Sequence, residues 1–362
     1  MTLVSILGDF HSSILPISYE FKDEISKHII VYDDDYGDVK EAERVIRGQK
    51  AFLNTLPHDS RVKHEIVTLK IEEDSYSSIL RCLHHIKESA NEYSDIYLNT
   101  TDGLSSVAIV LSSQLLSIGA KVISYDRYAN TYNVHTSKGM EKHRIKHNMD
   151  IETHLLMKGY RLLEVADKIV LEKRKHLIYD LTKDLTRYKT FSNILQKTSF
   201  DNITDYDDYK VLLEKIGTKD QKFIQGTVFE EYIYHLIVDK FDFDDVWTGV
   251  KVQFDEAVEN EFDVLMIKDN HLHTIECKLV NKLDGEHFVY KTELIMDYLD
   301  DDGKAMILSI GADNVRVISK KKKLTQFTLG DKARANYGDI KIHQGRVFDE
   351  KAFLDDVREW FL

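Results

Sequence analysis

Cysteine is scarce. The 362-residue chain has two, Cys82 and Cys277, far apart. That excludes a disulfide framework and a four-cysteine zinc site within one chain. Long apolar runs are missing, so no segment is suited to span a bilayer and no membrane partner is expected. The opening residues, MTLVSILGDF, lack a positive n-region and meet Asp9 early, unlike a signal peptide. A cytoplasmic protein is expected. Positive charge is in deficit: the formal net charge is −13. Proteins that coat nucleic acid are usually basic, so this balance argues against such a role. It is compatible with an enzyme that touches nucleic acid locally, through a metal and a small basic patch. Neither a Walker A loop nor a G-x-G-x-x-G loop occurs in the N-terminal part.

What is present centres on Glu261–Lys278, reading EFDVLMIKDNHLHTIECK. Val264–Ile267 and Leu272–Cys277 read as two strands joined by the turn residues Lys268-Asp269-Asn270. Side chains two apart on a strand share a face, so Glu276 and Lys278 point the same way. Asp263, at the start of the first strand, is placed to reach the end of the second. Two carboxylates and an ammonium then converge. The carboxylates suit a hard divalent cation, Mg²⁺ or Mn²⁺. The lysine is suited to orient water or to stabilise charge at phosphorus. Metal-assisted phosphodiester hydrolysis needs these parts. A plain hairpin with a surface salt bridge would use the same residue types. Cys277 alternates away from Glu276 and Lys278 and reads as a small core residue, not a nucleophile.

Before this stretch, strands and helices alternate. Strands are expected at Thr2–Leu7, His28–Tyr32, Glu65–Ile71, Asp95–Leu98 and Lys121–Tyr125. Helices are expected over Val39–Leu56, from a Ser75 cap to about Glu92, and over Val107–Leu116. This order implies an open, mostly parallel sheet with helices on both faces, binding ligands at the carboxyl ends of its strands. The candidate ligand loops are Gly8, Asp9, Phe10, His11, Ser12 and Ser13, and Asn99, Thr100, Thr101, Asp102, Gly103, Leu104, Ser105 and Ser106. The second is a candidate phosphate cradle ahead of a helix; an ordinary capped helix start fits it equally. Tyr132–His135 and His143–Ile145 are expected to pair as a hairpin. His143 and His147, one helical turn apart, read as solvated histidines for want of a third ligand. Ile151–Ala166 has helical spacing and opens a helical connector, residues 151–209, between an N-terminal domain, 1–150, and a C-terminal one, 210–362.

In the C-terminal part a helix is expected over Gly226–Val238. Glu230 lies at the edge of its apolar stripe, where it is the candidate third metal ligand; Glu231 is the fallback. Asn260 and Glu261 are candidate supporting groups. A helix over Phe288–Leu299 carries Tyr290, Lys291 and Glu293, and Lys304–Ile310 reads as a buried strand. The run Lys320-Lys321-Lys322-Lys323 suits backbone phosphates or a solvated turn about equally.

The order helix with Gly226-x-x-Phe229-Glu230, then Asp263, then Glu276-x-Lys278, then a helix resembles the PD-(D/E)xK restriction-like nucleases. Phe262 stands where that motif has proline. The resemblance implies a restriction-endonuclease-like α/β domain with Asp263, Glu276 and Glu230 on a Mn²⁺ or Mg²⁺ ion and Lys278 as a catalytic group. It also implies a substrate- or water-contacting polar residue on the following helix, for which Lys291 is the candidate. A Rossmann-like N-terminal domain with an Asn-x-Thr-x-Gly loop, joined to such a nuclease, resembles the CARF-domain nucleases of type III CRISPR defence. That resemblance implies a homodimer that binds a cyclic oligoadenylate, cyclic tetra-adenylate first among them, across the CARF dimer interface. Binding would activate a nuclease that cuts single-stranded DNA or RNA with little sequence preference. The family loop reads Asn-x-Thr-Gly-Gly-Thr-Lys; here Asp102 replaces the first glycine and Ser105 the lysine, which leaves the ring size open. The alternatives are a ligand-independent restriction or repair endonuclease and a non-catalytic ligand-binding regulatory module.

Overall fold

The structure is a computed structural model that describes residues 1–8, 14–33, 39–56, 64–101, 103–279, 282–300, 302–311, 313–314 and 327–362. Of the candidate ligand residues, Asp9, Phe10, His11, Ser12, Ser13 and Asp102 lie outside the described residues, as does the Lys320–Lys323 run. The chain divides into two compact units, Met1–Arg161 and Leu162–Leu362. No described helix is long and apolar enough to cross a membrane.

The first unit runs β1 (Thr2–Ile6), α1 (Leu15–Glu20), β2 (Lys27–Asp33), α2 (Val39–Thr55), β3 (Glu65–Ile71), α3 (Tyr76–Glu88), β4 (Ile96–Asn99), α4 (Ser105–Ser117), β5 (Lys121–Asp126), β6 (Thr131–Thr136), β7 (Gly139–Arg144) and α5 (Ile151–Met157). Its seven strands lie in the order β3-β2-β1-β4-β5-β6-β7. The first five are parallel, and β5, β6 and β7 pair antiparallel. Period-two alternation on β1 explains the layers. Val4 and Ile6 pack with Ile79, Leu83, Val107 and Leu111 on one face; Leu3 packs with Ile17, Phe21 and Ile123 on the other. The strand order reverses between β1 and β4, with Ser5 opposite Asn99. That brings the ends of these strands, followed by Gly8 and by Asn99–Ser106, to a topological switch point, where such sheets bind ligands.

One expectation fails here, and the expected hairpin of Tyr132–His135 with His143–Ile145 forms as β6–β7. The helix expected over Ile151–Ala166 stops at Met157: the chain turns at Gly159, whose φ is +78°, and Arg161–Glu164 is a strand, β8. His143 and His147 are not on a helix. His143 lies in β7, stacked 5.2 Å from the Tyr132 ring, and His147 follows in coil with its N–H donated to Glu20 Oε2 at 3.1 Å.

The second unit continues from β8 through α6 (Lys168–Thr182), α7 (Leu185–Leu195), α8 (Asp207–Ile216), a π-helical turn (Phe223–Thr227), α9 (Val228–Lys240), β9 (Asp245–Asp255), β10 (Val258–Lys268), β11 (His271–Leu279), β12 (Lys282–Leu283), α10 (Gly285–Leu299), β13 (Ala305–Ile310), β14 (Asp313–Asn314), α11 (Leu329–Tyr337), β15 (Ile340–Gly345) and α12 (Glu350–Phe361). Its main sheet has the order β15-β13-β11-β10-β9-β8. β11, β13 and β15 are parallel, whereas β10 is antiparallel to both β9 and β11. The helices expected as a connector pack into the second unit. Leu171, Ile178 and Leu181 of α6 and Tyr188 and Phe191 of α7 share one core with Phe229, Ile233, Val264, Met266, Met306 and Phe353. Their apolar faces are buried with the sheet, so α6, α7 and α8 are structural parts of the second unit.

Candidate active site

The hairpin β10–β11 holds the catalytic candidates, and its geometry follows from where the ladder stops. Paired residues run from Lys268 opposite His271 to Val264 opposite Ile275. Asp263 is the next residue, midway along β10 rather than at its start, because β10 begins at Val258 to pair with β9. There the Cys277 N–H donates to Asp263 Oδ2 at 2.7 Å. The Asp263 carbonyl accepts from Thr248 Oγ1 at 2.6 Å, which pins the strand. Lys278 Nζ then bridges two carboxylates, 3.2 Å from Asp263 Oδ2 and 2.6 Å from Glu276 Oε1. Glu276 and Lys278 share a face as the period-two pattern requires, and Cys277 between them is buried. Burial, then the neighbouring carboxylates, push the Cys277 thiol well above its usual range, so it is inert as a nucleophile.

Glu230 joins this group from the first turn of α9. Its carboxyl is pushed up to about 8 by burial and then by Asp263, with smaller effects of the same sign from Glu261 and Glu276, against the lowering effect of Lys278. Asp263 is pushed up to about 6, by burial and then by Glu276. Burial works against the Lys278 ammonium, but Asp263 and Glu276 outweigh it and hold the lysine charged. Glu231 is not in the site. It is 1 % exposed and takes both ends of the Arg174 guanidinium, with Arg174 Nε 2.7 Å from Glu231 Oε2. Lys291 lies on α10 one turn beyond Phe288, whose ring centroid is 5.5 Å from Lys278 Nζ. That spacing places Lys291 on the same helix face; no hydrogen bond joins it to the carboxylates among the described residues.

Reasoning from sequence missed the π-helical turn before α9, which carries no composition signal. Such bulges are frequent at functional sites. It lays Gly226 under the Glu230 carboxylate: a Cβ on Gly226 would stand 3.0 Å from Glu230 Oε1. Gly226→Ala is therefore expected to shift that carboxylate and lower kcat about tenfold, since small misplacements of a catalytic group are costly. Helix propensity predicts no loss of stability, and a gain of up to about 1 kcal/mol. Steady-state cleavage and thermal melting of the same protein check both halves.

The donor set fits a hard divalent cation. Three carboxylates face one ammonium, and two of them are held above their ordinary range by burial and mutual repulsion, a surplus of negative charge that a cation relieves. As they stand, no three His, Cys, Asp or Glu side chains among the described residues are gathered closely enough to enclose an ion. Lys278 lies between two of the candidates instead.

In the first unit, the loop after β4 is braced from within. Asn99 Oδ1 accepts from Thr101 N at 3.1 Å and from Thr101 Oγ1 at 2.7 Å, and Thr101 Oγ1 accepts from Tyr125 N at 2.8 Å. Thr100 N and Oγ1 both donate to the Ile123 carbonyl, at 2.9 and 3.1 Å. Asn99 and Thr101 are buried, so they shape the loop from inside. Gly103 packs against Ile6 at the end of β1, and Leu104 is buried. Ser105 and Ser106 are exposed at the start of α4, where no side chain caps the helix; Ser106 Oγ donates to Glu73 Oε1 at 2.8 Å. Gly8 is buried after β1. Asn99→Ala would leave the Thr101 N–H and hydroxyl without their acceptor, at a local cost of about 1–3 kcal/mol. Faster hydrogen exchange over residues 99–106, with unchanged melting of the second unit, is the expected result.

A Rossmann-like unit followed by a restriction-endonuclease-like unit with an Asp, Glu-x-Lys and helix-glutamate site is the architecture of CARF nucleases. Residues 218–344 match the model of the Card1-like endonuclease domain. None of the curated proteins matches the chain by sequence. Solved structures share the fold. Can2 from Sulfobacillus thermosulfidooxidans, in complex with cyclic tetra-adenylate, superposes with a TM-score of 0.71 at 18% identity, covering 99% of this chain and 98% of that one. Protein VC1899 from Vibrio cholerae gives 0.72 at 16% identity, covering 99% and 97%. A type III CRISPR defence DNA nuclease activated by cyclic oligoadenylate gives 0.50 at 11% identity, covering 93% of this chain and 51% of that one. The resemblance to CARF-domain nucleases is thus borne out in the fold of the whole chain, and residues 218–344 match a Card1-like endonuclease domain.

Proposed function

We propose that this chain is a metal-dependent nuclease switched on by a cyclic oligoadenylate. It would cut single-stranded DNA or RNA with little sequence preference, and it would work as a homodimer in type III CRISPR defence. The observation that carries the reading is the convergence of Asp263, Glu276 and Lys278 at the open end of the β10–β11 ladder, with Glu230 beside them. Asp263, Glu276 and Glu230 would hold Mn²⁺ or Mg²⁺. Such an ion polarises a phosphoryl oxygen and makes water acidic enough to attack near neutral pH. Lys278 would present its ammonium to a non-bridging phosphate oxygen, offsetting charge that grows as water attacks phosphorus and the P–O bond to the leaving group breaks. The Cys277 N–H keeps the Asp263 carboxylate from rotating and Thr248 pins its backbone carbonyl, so the carboxylate would need little reorganisation when substrate arrives. In the first unit the uncapped start of α4 offers N–H donors for a ligand phosphate, and the exposed Ser105 and Ser106 offer hydroxyls. The outward face of α4 carries Ile109, 70 % exposed, which a second copy would cover.

The test is cleavage of labelled single-stranded DNA and RNA with Mn²⁺, with and without cyclic tri-, tetra- and hexa-adenylate. One ring size is expected to raise the rate, and a chelator to abolish it. Equal cutting without any ring would remove the sensor and leave the nuclease. No cutting under any condition would remove both.

A further inference from the structure

A cleft of about 400 Å³ in the second unit is lined by none of the catalytic candidates, and reaches the end of the Glu276 and Lys278 strand at Leu279. One wall is α7, whose Thr186, Lys189, Thr190 and Asn193 recur at the spacing of a single helix face. The opposite face of the helix, with Tyr188 and Phe191, is buried in the core. The other wall is the carboxyl-end rim of the parallel strands: Leu279 ends β11, Ile310 ends β13 and Arg346 follows β15.

The lining is chemically one-sided. The chain has 62 acidic residues against 49 Lys and Arg, yet among the residues whose side chains are described the cleft is lined by a lysine and an arginine and by no carboxylate. Lys189 Nζ donates to the Gly311 carbonyl at 2.6 Å. Gly311 has a φ of +71°, and a side chain there would collide with that ammonium, so the glycine seats the lysine across the strand end. The Arg346 residue is exposed. Leu279 is three residues beyond Glu276 on the same strand, about 10 Å at the rise of a β-strand, and by the period of two it shares the face of Cys277, with Glu276 and Lys278 on the other. The cleft therefore meets the catalytic group across the end of β11, where a strand leaving Glu276 and Lys278 would pass over Leu279.

We propose that this cleft is the track for the substrate strand next to the scissile phosphate, with Lys189 and Arg346 each facing a backbone phosphate. The Thr190 hydroxyl donates to the Thr186 carbonyl at 2.9 Å, while Thr186 adds a hydroxyl of the kind that contacts phosphate and sugar. Such contacts position a strand without reading its bases. The inference rests on the nuclease reading given under the proposed function.

Binding of labelled single-stranded DNA and RNA to full-length protein tests it, in a Glu276→Gln background and across a salt series. Arg346→Glu is expected to weaken binding about tenfold near 0.1 M salt, and to lower the log–log salt slope by about one. Lys189→Gln should act the same way more weakly. In cutting-competent protein, Arg346→Glu should raise KM by a similar factor and change kcat less than threefold. Arg358→Glu, an exposed change on α12, should alter none of these. If Lys189→Gln lowers the melting temperature, Arg346→Glu alone decides. A normally melting Arg346→Glu protein with unchanged affinity and slope overturns the track, while binding and Glu276-dependent cutting by the parent leave the nuclease reading standing. A parent that neither binds nor cuts overturns both.

Discussion

Asp263→Asn is expected to lower cleavage on the order of 10³-fold, the scale of losing one preorganised charged group at a reacting centre, and to leave the fold at least as stable. Asparagine can still accept the Cys277 N–H that Asp263 Oδ2 accepts at 2.7 Å, so the hairpin keeps its closing bond. What disappears is one of the crowded negative charges. Both Asp263, pushed up to about 6, and Glu230, pushed up to about 8, hold protons in the folded, metal-free protein that they release when unfolded. Between the unfolded values near 4 and those folded values, the native state therefore binds more protons. Stability must then fall as pH rises through that window, the reverse of an ordinary salt-bridged carboxylate. Asp263→Asn should flatten that fall. Mn²⁺ should raise the melting temperature of the wild type, by the equivalent of about 2.7 kcal/mol at a hundredfold excess over its Kd, and should do much less for Asp263→Asn. Melting curves from pH 4 to 8, with and without Mn²⁺, read all of this without any substrate. A variant that cuts at the parental rate would show that Asp263 only closes the hairpin.

The second large effect concerns Glu231, next to Glu230 in sequence and opposite in role. Glu231→Ala is expected to destabilise the second unit by about 3–5 kcal/mol, because it strands the Arg174 guanidinium against a buried position. The carboxylate is 1 % exposed and burial alone raises its pKa, while Arg174, at 2.7 Å through Nε, draws it back down. The double change Arg174→Met with Glu231→Leu should recover much of the loss, since apolar replacements of a buried pair are often tolerated. Glu230→Gln should instead fold normally and fail to cut. Chemical denaturation of these variants and the wild type separates the roles, and a destabilised Glu230→Gln beside a normally stable Glu231→Ala would show that the assignment is reversed.

That neighbouring pair marks where the sequence stops being informative. Asp263, Glu276 and Lys278 were legible because a strand period of two and a short turn fix which side chains meet. Glu230 and Glu231 were not separable by a helical stripe, since α9 buries Val228, Phe229, Glu231, Tyr232, Ile233 and Tyr234 on nearly every side. Only the partner, Arg174, 57 residues earlier, decides between them. β8 was hidden because four residues carry too little pattern to compete with the helical spacing around them. The α6 and α7 helices looked like a connector because amphipathic helices announce an apolar face but not what covers it. At the ligand loop, Asn99 and Thr101 have the residue types of a phosphate cradle, and the same types suit internal bracing. Their burial identifies the second use.

The lysine between Asp263 and Glu276 has a consequence for metal affinity. Its ammonium acts as a tethered counter-ion, so loading a divalent cation would be an exchange against a charge the chain itself provides, not a simple capture. The apparent affinity would then be the difference between two attractions, which would keep the site responsive to changes in the free ion concentration. Replacing Lys278 by methionine removes the competitor and should tighten ion binding even as it removes activity.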